Sequence, residues 1–62
     1  MATEREIQKL EKEIRSRMML IKNKKTTPKE SGIGKLFTIL KKIDEVSYEN
    51  NLTDYKLILR DL

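Results

Sequence analysis

The chain has 62 residues, of which 14 are basic and 10 acidic, for a net charge of +4, with no histidine, cysteine or tryptophan. A chain this short buries only about 60% of the surface its unfolded form exposes, and without cysteine it has neither a disulfide nor a thiolate metal site to staple it. Without histidine, and with Asp44 and Glu45 adjacent and so about 100° apart on any helix, it lacks the paired groups of general acid–base catalysis; the expectation is no enzyme, no catalytic residue, no cofactor and no metal.

Thr3 followed by Glu6 is a capping-box pattern, in which the hydroxyl accepts an orphan N–H and the carboxylate reaches back. Behind it Ile7, Leu10, Ile14, Met18 and Ile21 recur at three- and four-residue steps, a stripe about 80° wide that resembles a coiled-coil seam. Glutamates cluster near the start and Lys22, Lys24 and Lys25 near the end, as the helix dipole favours. The pattern predicts a helix over about 4–23. Met19 and Leu20 project off the seam; the ordinary reading is a second helix neighbour there, the functional one an adaptable partner surface, which suits a flexible thioether.

Residues 24–32 are predicted as a linker. Within it Thr27-Pro28-Lys29-Glu30 has a threonine cap, a proline suited to a first helical position and a closing glutamate, so a single turn over 28–31 is one of two readings, the other being a weak helix running through Gly32 and Gly34. Gly32-Ile33-Gly34-Lys35 resembles a phosphate loop only superficially, since no apolar strand precedes it and the Walker spacing is missing. From Ile33 the apolar pattern is strong, with Leu36, Phe37, Leu40 and Ile43 on one side and Ile39 widening it, which predicts a central helix over about 33–49. Asn50-Asn51 reads as a stop and a start, with Asn51 or Thr53 capping a short last helix over about 53–62 that is lined by Leu52, Tyr55, Leu59 and Leu62. A strand over 55–59 is the lesser reading, because a lone strand has nothing to pair with.

The charge is unevenly spread: residues 15–42 hold nine basic side chains and a single acid, Glu30, between two acidic ends. A basic middle points to an acidic partner. Its candidate electrostatic residues are Arg15, Arg17, Lys22, Lys24, Lys25, Lys29 and Lys35. They would serve phosphates as well as a protein, but no aromatic side chain is interleaved with them for base stacking and no recognition-helix pattern is present.

Ser31-Gly32-Ile33-Gly34-Lys35-Leu36-Phe37-Thr38-Ile39-Leu40-Lys41-Lys42 resembles the signature of the N-terminal helical domain of transcription elongation factor TFIIS, at Ser31, Ile33, Gly34, Lys35, Phe37, Leu40 and Lys42. The resemblance implies a helical module that binds short peptides from disordered partners in transcription. It covers about a fifth of the chain; the family's tryptophan near the domain end is missing, and the chain is too short for the complete bundle.

Together these features predict a single all-α domain over 1–62. Its three helices form a long helical hairpin plus a short C-terminal helix, dimeric or docked on a partner, since so small a core needs outside support. The expected function is a non-enzymatic protein–protein interaction module, a small regulator either transcription-related or viral. Ile7, Leu10, Ile14, Met18, Met19 and Ile21 would make the apolar contact and the basic flank would steer. A nucleic-acid-binding regulator is the alternative. No apolar run approaches the roughly 20 residues a bilayer span requires, and glutamates interrupt where a signal peptide would be apolar, so an intracellular setting, cytoplasmic or nuclear, is expected.

Overall fold

Helix α1 spans Glu4–Lys22 and opens on the cap the sequence indicates, the Thr3 hydroxyl accepting the Glu6 N–H at 3.3 Å. Its end is a Schellman motif: the Lys25 N–H reaches the Leu20 carbonyl at 2.9 Å and the Lys24 N–H that of Ile21 at 3.0 Å. The motif requires a left-handed residue, and that residue is Lys24, with φ at 60°. A side chain in that region costs about 1 kcal/mol relative to glycine. Lys24→Gly is therefore expected to raise the unfolding free energy by about 0.5–1 kcal/mol, read as a higher urea midpoint with an unchanged slope.

The structure, a computed structural model, describes residues 3–62; the first two positions of the predicted 1–62 unit lie outside it. Of the two readings of the linker, the single turn occurs. Helix α2 is Pro28–Ser31, capped by Thr27, whose hydroxyl accepts the Glu30 N–H at 3.1 Å. Gly32, at φ 69°, then reverses the chain, and helix α3 runs over Ile33–Ile43. The linker proper is thus shorter than 24–32.

The predicted helices over 33–49 and 53–62 need correction. Asp44 adopts an extended backbone (φ −158°, ψ 100°), and its carboxylate accepts the Ser47 N–H at 3.2 Å, which ends α3 and starts helix α4 over Glu45–Arg60. Asn50 and Asn51 lie inside α4. Asn51 spends its amide on its own helix, donating to the Ser47 carbonyl at 2.8 Å, and on α1, donating to Glu11 Oε2 at 3.1 Å. Thr53 likewise donates to the Glu49 carbonyl at 2.9 Å and caps nothing. The side chains read as a break instead satisfy helical carbonyls.

The chain is all-α, with four helices and no strand among the described residues. α1, α3 and α4 each pack on the other two. α3 descends between α1 and α4, which run the same way: Leu10 lies by Ile43, Arg17 reaches Ser31, Glu11 meets Asn51, and Lys22 borders Leu57–Leu62. The result is a rod of 35 × 17 × 15 Å.

The core comprises Ile14, Met18, Ile21, Ile33, Phe37 and Leu40, all at most 5% exposed. α4 supplies aromatic edges to it. Phe37 lies edge-on to Tyr48 at 6.0 Å and tilted against Tyr55 at 5.3 Å, and the Lys41 ammonium sits 5.5 Å from the Tyr48 ring centre. Burial pushes the Tyr55 phenol above its ordinary value.

Candidate partner-binding surface

The seam proposed for partner contact faces inward. Ile14, Met18 and Ile21 are 0%, 3% and 1% exposed, while Ile7 and Leu10 are half-buried against the same core. A narrow stripe suits one partner helix, and here two helices of the same chain, α3 and α4, close over it. Ile14, Met18 and Ile21 are therefore corrected from a partner surface to core, while Ile7 and Leu10 pack against that core and keep part of their surface. Met19, at 53% exposure, is the one candidate of that set left facing solvent.

Besides the scattered Met19, Val46 and Leu59, exposed apolar side chains line shallow depressions. At the end where α1 and α4 finish, Leu57 and Leu62, at 52% and 55% exposure, border a groove completed by Ile58, Lys22, Asp54 and Asp61. A second depression adjoins it across Leu62, lined by Lys24, Lys25 and the Thr26–Pro28 turn. Along the opposite side, α1 and α3 leave a shallow groove floored by Leu10, Ile39 and Ile43. A separate shallow depression on α1 itself is lined by Glu13, Ser16, Arg17 and Leu20. Sequence reasoning missed Ile39 as a surface feature because it falls within an apolar helical pattern that reads as core, and Leu57 because it lies off the Leu52, Tyr55, Leu59 and Leu62 line and no pattern singled it out.

The basic candidates separate into different settings. Lys22, Lys24, Lys25 and Lys29 are exposed at the end of α1 and on the turn and helix α2 that follow it, and Lys35 is exposed on the first turn of α3. Arg15 is exposed on α1. Arg17 is half-buried: its Nη1 donates to the Ser31 carbonyl at 2.7 Å, and its Nε is buried without a partner. That bond ties α2 to α1, so Arg17 is a structural residue and leaves the electrostatic set. Ser31 extends the tie, its hydroxyl donating to the Pro28 carbonyl at 2.9 Å and accepting the Ile33 N–H at 3.3 Å.

In the Ser31–Lys42 stretch, Ile33, Phe37 and Leu40 are core residues and Gly32 is the left-handed turn. Its apolar spacing is what packing α3 on two neighbours requires. No helix among the described residues is long and apolar enough to cross a membrane. In comparisons with known proteins, the chain matches no family model, no curated protein and no solved structure.

Proposed function

We propose that the chain is a non-enzymatic helical module that regulates by binding a protein partner through the end where α1 and α4 finish. One observation carries this reading: exposed Leu57 and Leu62 lie directly beside the lysines of the α1 terminus and the following turn. A phosphate backbone would use the lysines and leave two leucines in water, whereas a protein segment uses both. Apolar contact would supply the affinity, and Lys22, Lys24 and Lys25 the steering and orientation. Asp54 and Asp61 in the same groove weigh against a purely polyanionic partner.

The reading is tested with a photo-crosslinking phenylalanine derivative at position 57, with position 46 as control, since Val46 is 69% exposed and lies away from the lysines. Adducts formed in extract from the source cells should be protease-sensitive, nuclease-resistant and specific to position 57. They should also weaken when Lys22, Lys24 and Lys25 are neutralised together. In parallel, sedimentation equilibrium with a short random-sequence duplex should show no gain in mass. A gain at low salt that disappears at high salt overturns the proposal in favour of the nucleic-acid alternative. Equal adducts at both positions would overturn it as well.

A further inference from the structure

The three long helices do not contribute equally to the core. Its buried apolar side chains are Ile14, Met18 and Ile21 from α1 and Ile33, Phe37 and Leu40 from α3. The buried residues of α4 are both polar, Asn51 at 2% and Ser47 at 9% exposure. The apolar side chains that α4 packs against the core, Tyr48, Leu52, Tyr55 and Ile58, all keep part of their surface in water.

Asn51 stands at the centre of that packed face, between Tyr48, Tyr55 and Ile58 on the helical wheel. Its amide donates to the Ser47 carbonyl and to Glu11 Oε2, while its Oδ1 is buried without a partner. A buried acceptor left unpaired gives up its hydration when the helix docks and receives nothing in return. The bond to Glu11 is also the one hydrogen bond that joins α4 to α1 or α3 among the described residues. By contrast, α1, α2 and α3 share the six core side chains and the Arg17–Ser31 tie. A single residue with extended backbone, Asp44, links α3 to α4.

The surface proposed for partner binding straddles this weaker boundary. Lys22, Lys24 and Lys25 belong to α1 and the turn after it, whereas Asp54, Leu57, Asp61 and Leu62 belong to α4 and its end. The two halves adjoin only while α4 is docked.

We infer that α4 is a strap that swings open as one piece about Asp44 while α1, α2 and α3 stay packed, and that its opening takes the partner surface apart. Asn51 sets the strength of closure. Its unpaired oxygen lets α4 open ahead of global unfolding, and its bond to Glu11 fixes the height at which α4 closes on α1. A partner touching both halves binds the closed form alone and shifts the strap toward it. That last step rests on the reading of the Leu57–Leu62 end as a partner surface; the strap itself does not.

Native-state hydrogen exchange of the full chain, in urea below the unfolding transition, tests it. Protection at residues 51–55 should be about tenfold lower than at Ile14 and Leu40, with a shallower dependence on urea. Asn51→Leu removes the unpaired oxygen and completes the apolar face, so it should raise the urea midpoint and merge the α4 amides with the global transition. Asn50→Ala, on the exposed side of α4, improves helix propensity alone and should leave the α4 amides less protected than the core. Asn51→Asp turns a second carboxylate toward Glu11; it should lower α4 protection further and weaken position-57 crosslinking with it. Wild-type α4 amides that exchange only through global unfolding overturn the strap. An Asn51→Leu midpoint that falls, or equal effects of Asn50→Ala and Asn51→Leu on α4 protection, overturns the role of Asn51. Absence of position-57 adducts from a wild-type chain that shows the expected exchange would overturn the partner reading and leave the strap standing.

Discussion

Ile14→Asp is expected to leave the chain unfolded. Ile14 is 0% exposed at the middle of α1, where α3 and α4 both close on the helix, and no cation among the core residues could pair with a carboxylate there. Burying an unpaired charge costs several kcal/mol even after the group takes up a proton or the surroundings relax. A domain of this length has about 3–9 kcal/mol in total. The substitution should therefore abolish the 222 nm helical signal and the cooperative urea transition together. Ile39→Asp provides the contrast: it introduces the same charge on the neighbouring helix but at a half-exposed position, and should keep both. If Ile14→Asp remained helical with a cooperative transition, the α1 seam would have to be an external surface after all.

Arg17→Met should lower the unfolding free energy by about 1–2 kcal/mol. Methionine keeps the aliphatic stem that packs between α1 and the turn but removes the guanidinium. The 2.7 Å bond to the Ser31 carbonyl is charge-assisted and worth about 1.5–3 kcal/mol. Part of that is returned, because Arg17 Nε is buried without a partner and its removal relieves a desolvation penalty. The loss should be local before it is global. Hydrogen exchange at Glu30, Ser31 and Ile33 should accelerate most, since α2 is a single turn held mainly by this tie and by the Thr27 cap. Binding through the Leu57–Leu62 end should persist in the folded fraction. A substitution that left stability and exchange unchanged would return Arg17 to the electrostatic set.

Much of the fold was legible residue by residue. The Thr3 and Thr27 caps, the proline at the start of α2 and the apolar periodicity of α1 and α3 all follow from side chains acting within a turn or two of their own position. The α3–α4 boundary was not legible in the same way. Asp44 and Ser47 carry the cap signal, but they stand beside Ile43 and Val46, which prolong the apolar pattern, and Asn50-Asn51 downstream is a stronger break by composition. What overrides that composition is Glu11, forty positions earlier, which accepts the Asn51 amide at 3.1 Å. Asn51 is consequently 2% exposed inside a helix, with Oδ1 left unpartnered.

The candidate surface was legible in chemistry but not in place. Clustered lysines between acidic ends are a property of the chain, and their exposure follows because lysine is not buried unpaired. Which apolar side chains remain beside them depends on how many helices the α1 stripe must serve. The sequence by itself determined an all-helical chain, the positions of three helix starts and a basic middle, because periodicity, capping and charge are set by near neighbours. Only the tertiary structure decided that α1 is covered by two helices of its own chain, that Arg17 is a tie to α2, and that Ile39 and Leu57 face solvent. Each of those outcomes depends on residues that approach through space after the chain has turned back on itself, and helical spacing does not encode the direction of that return.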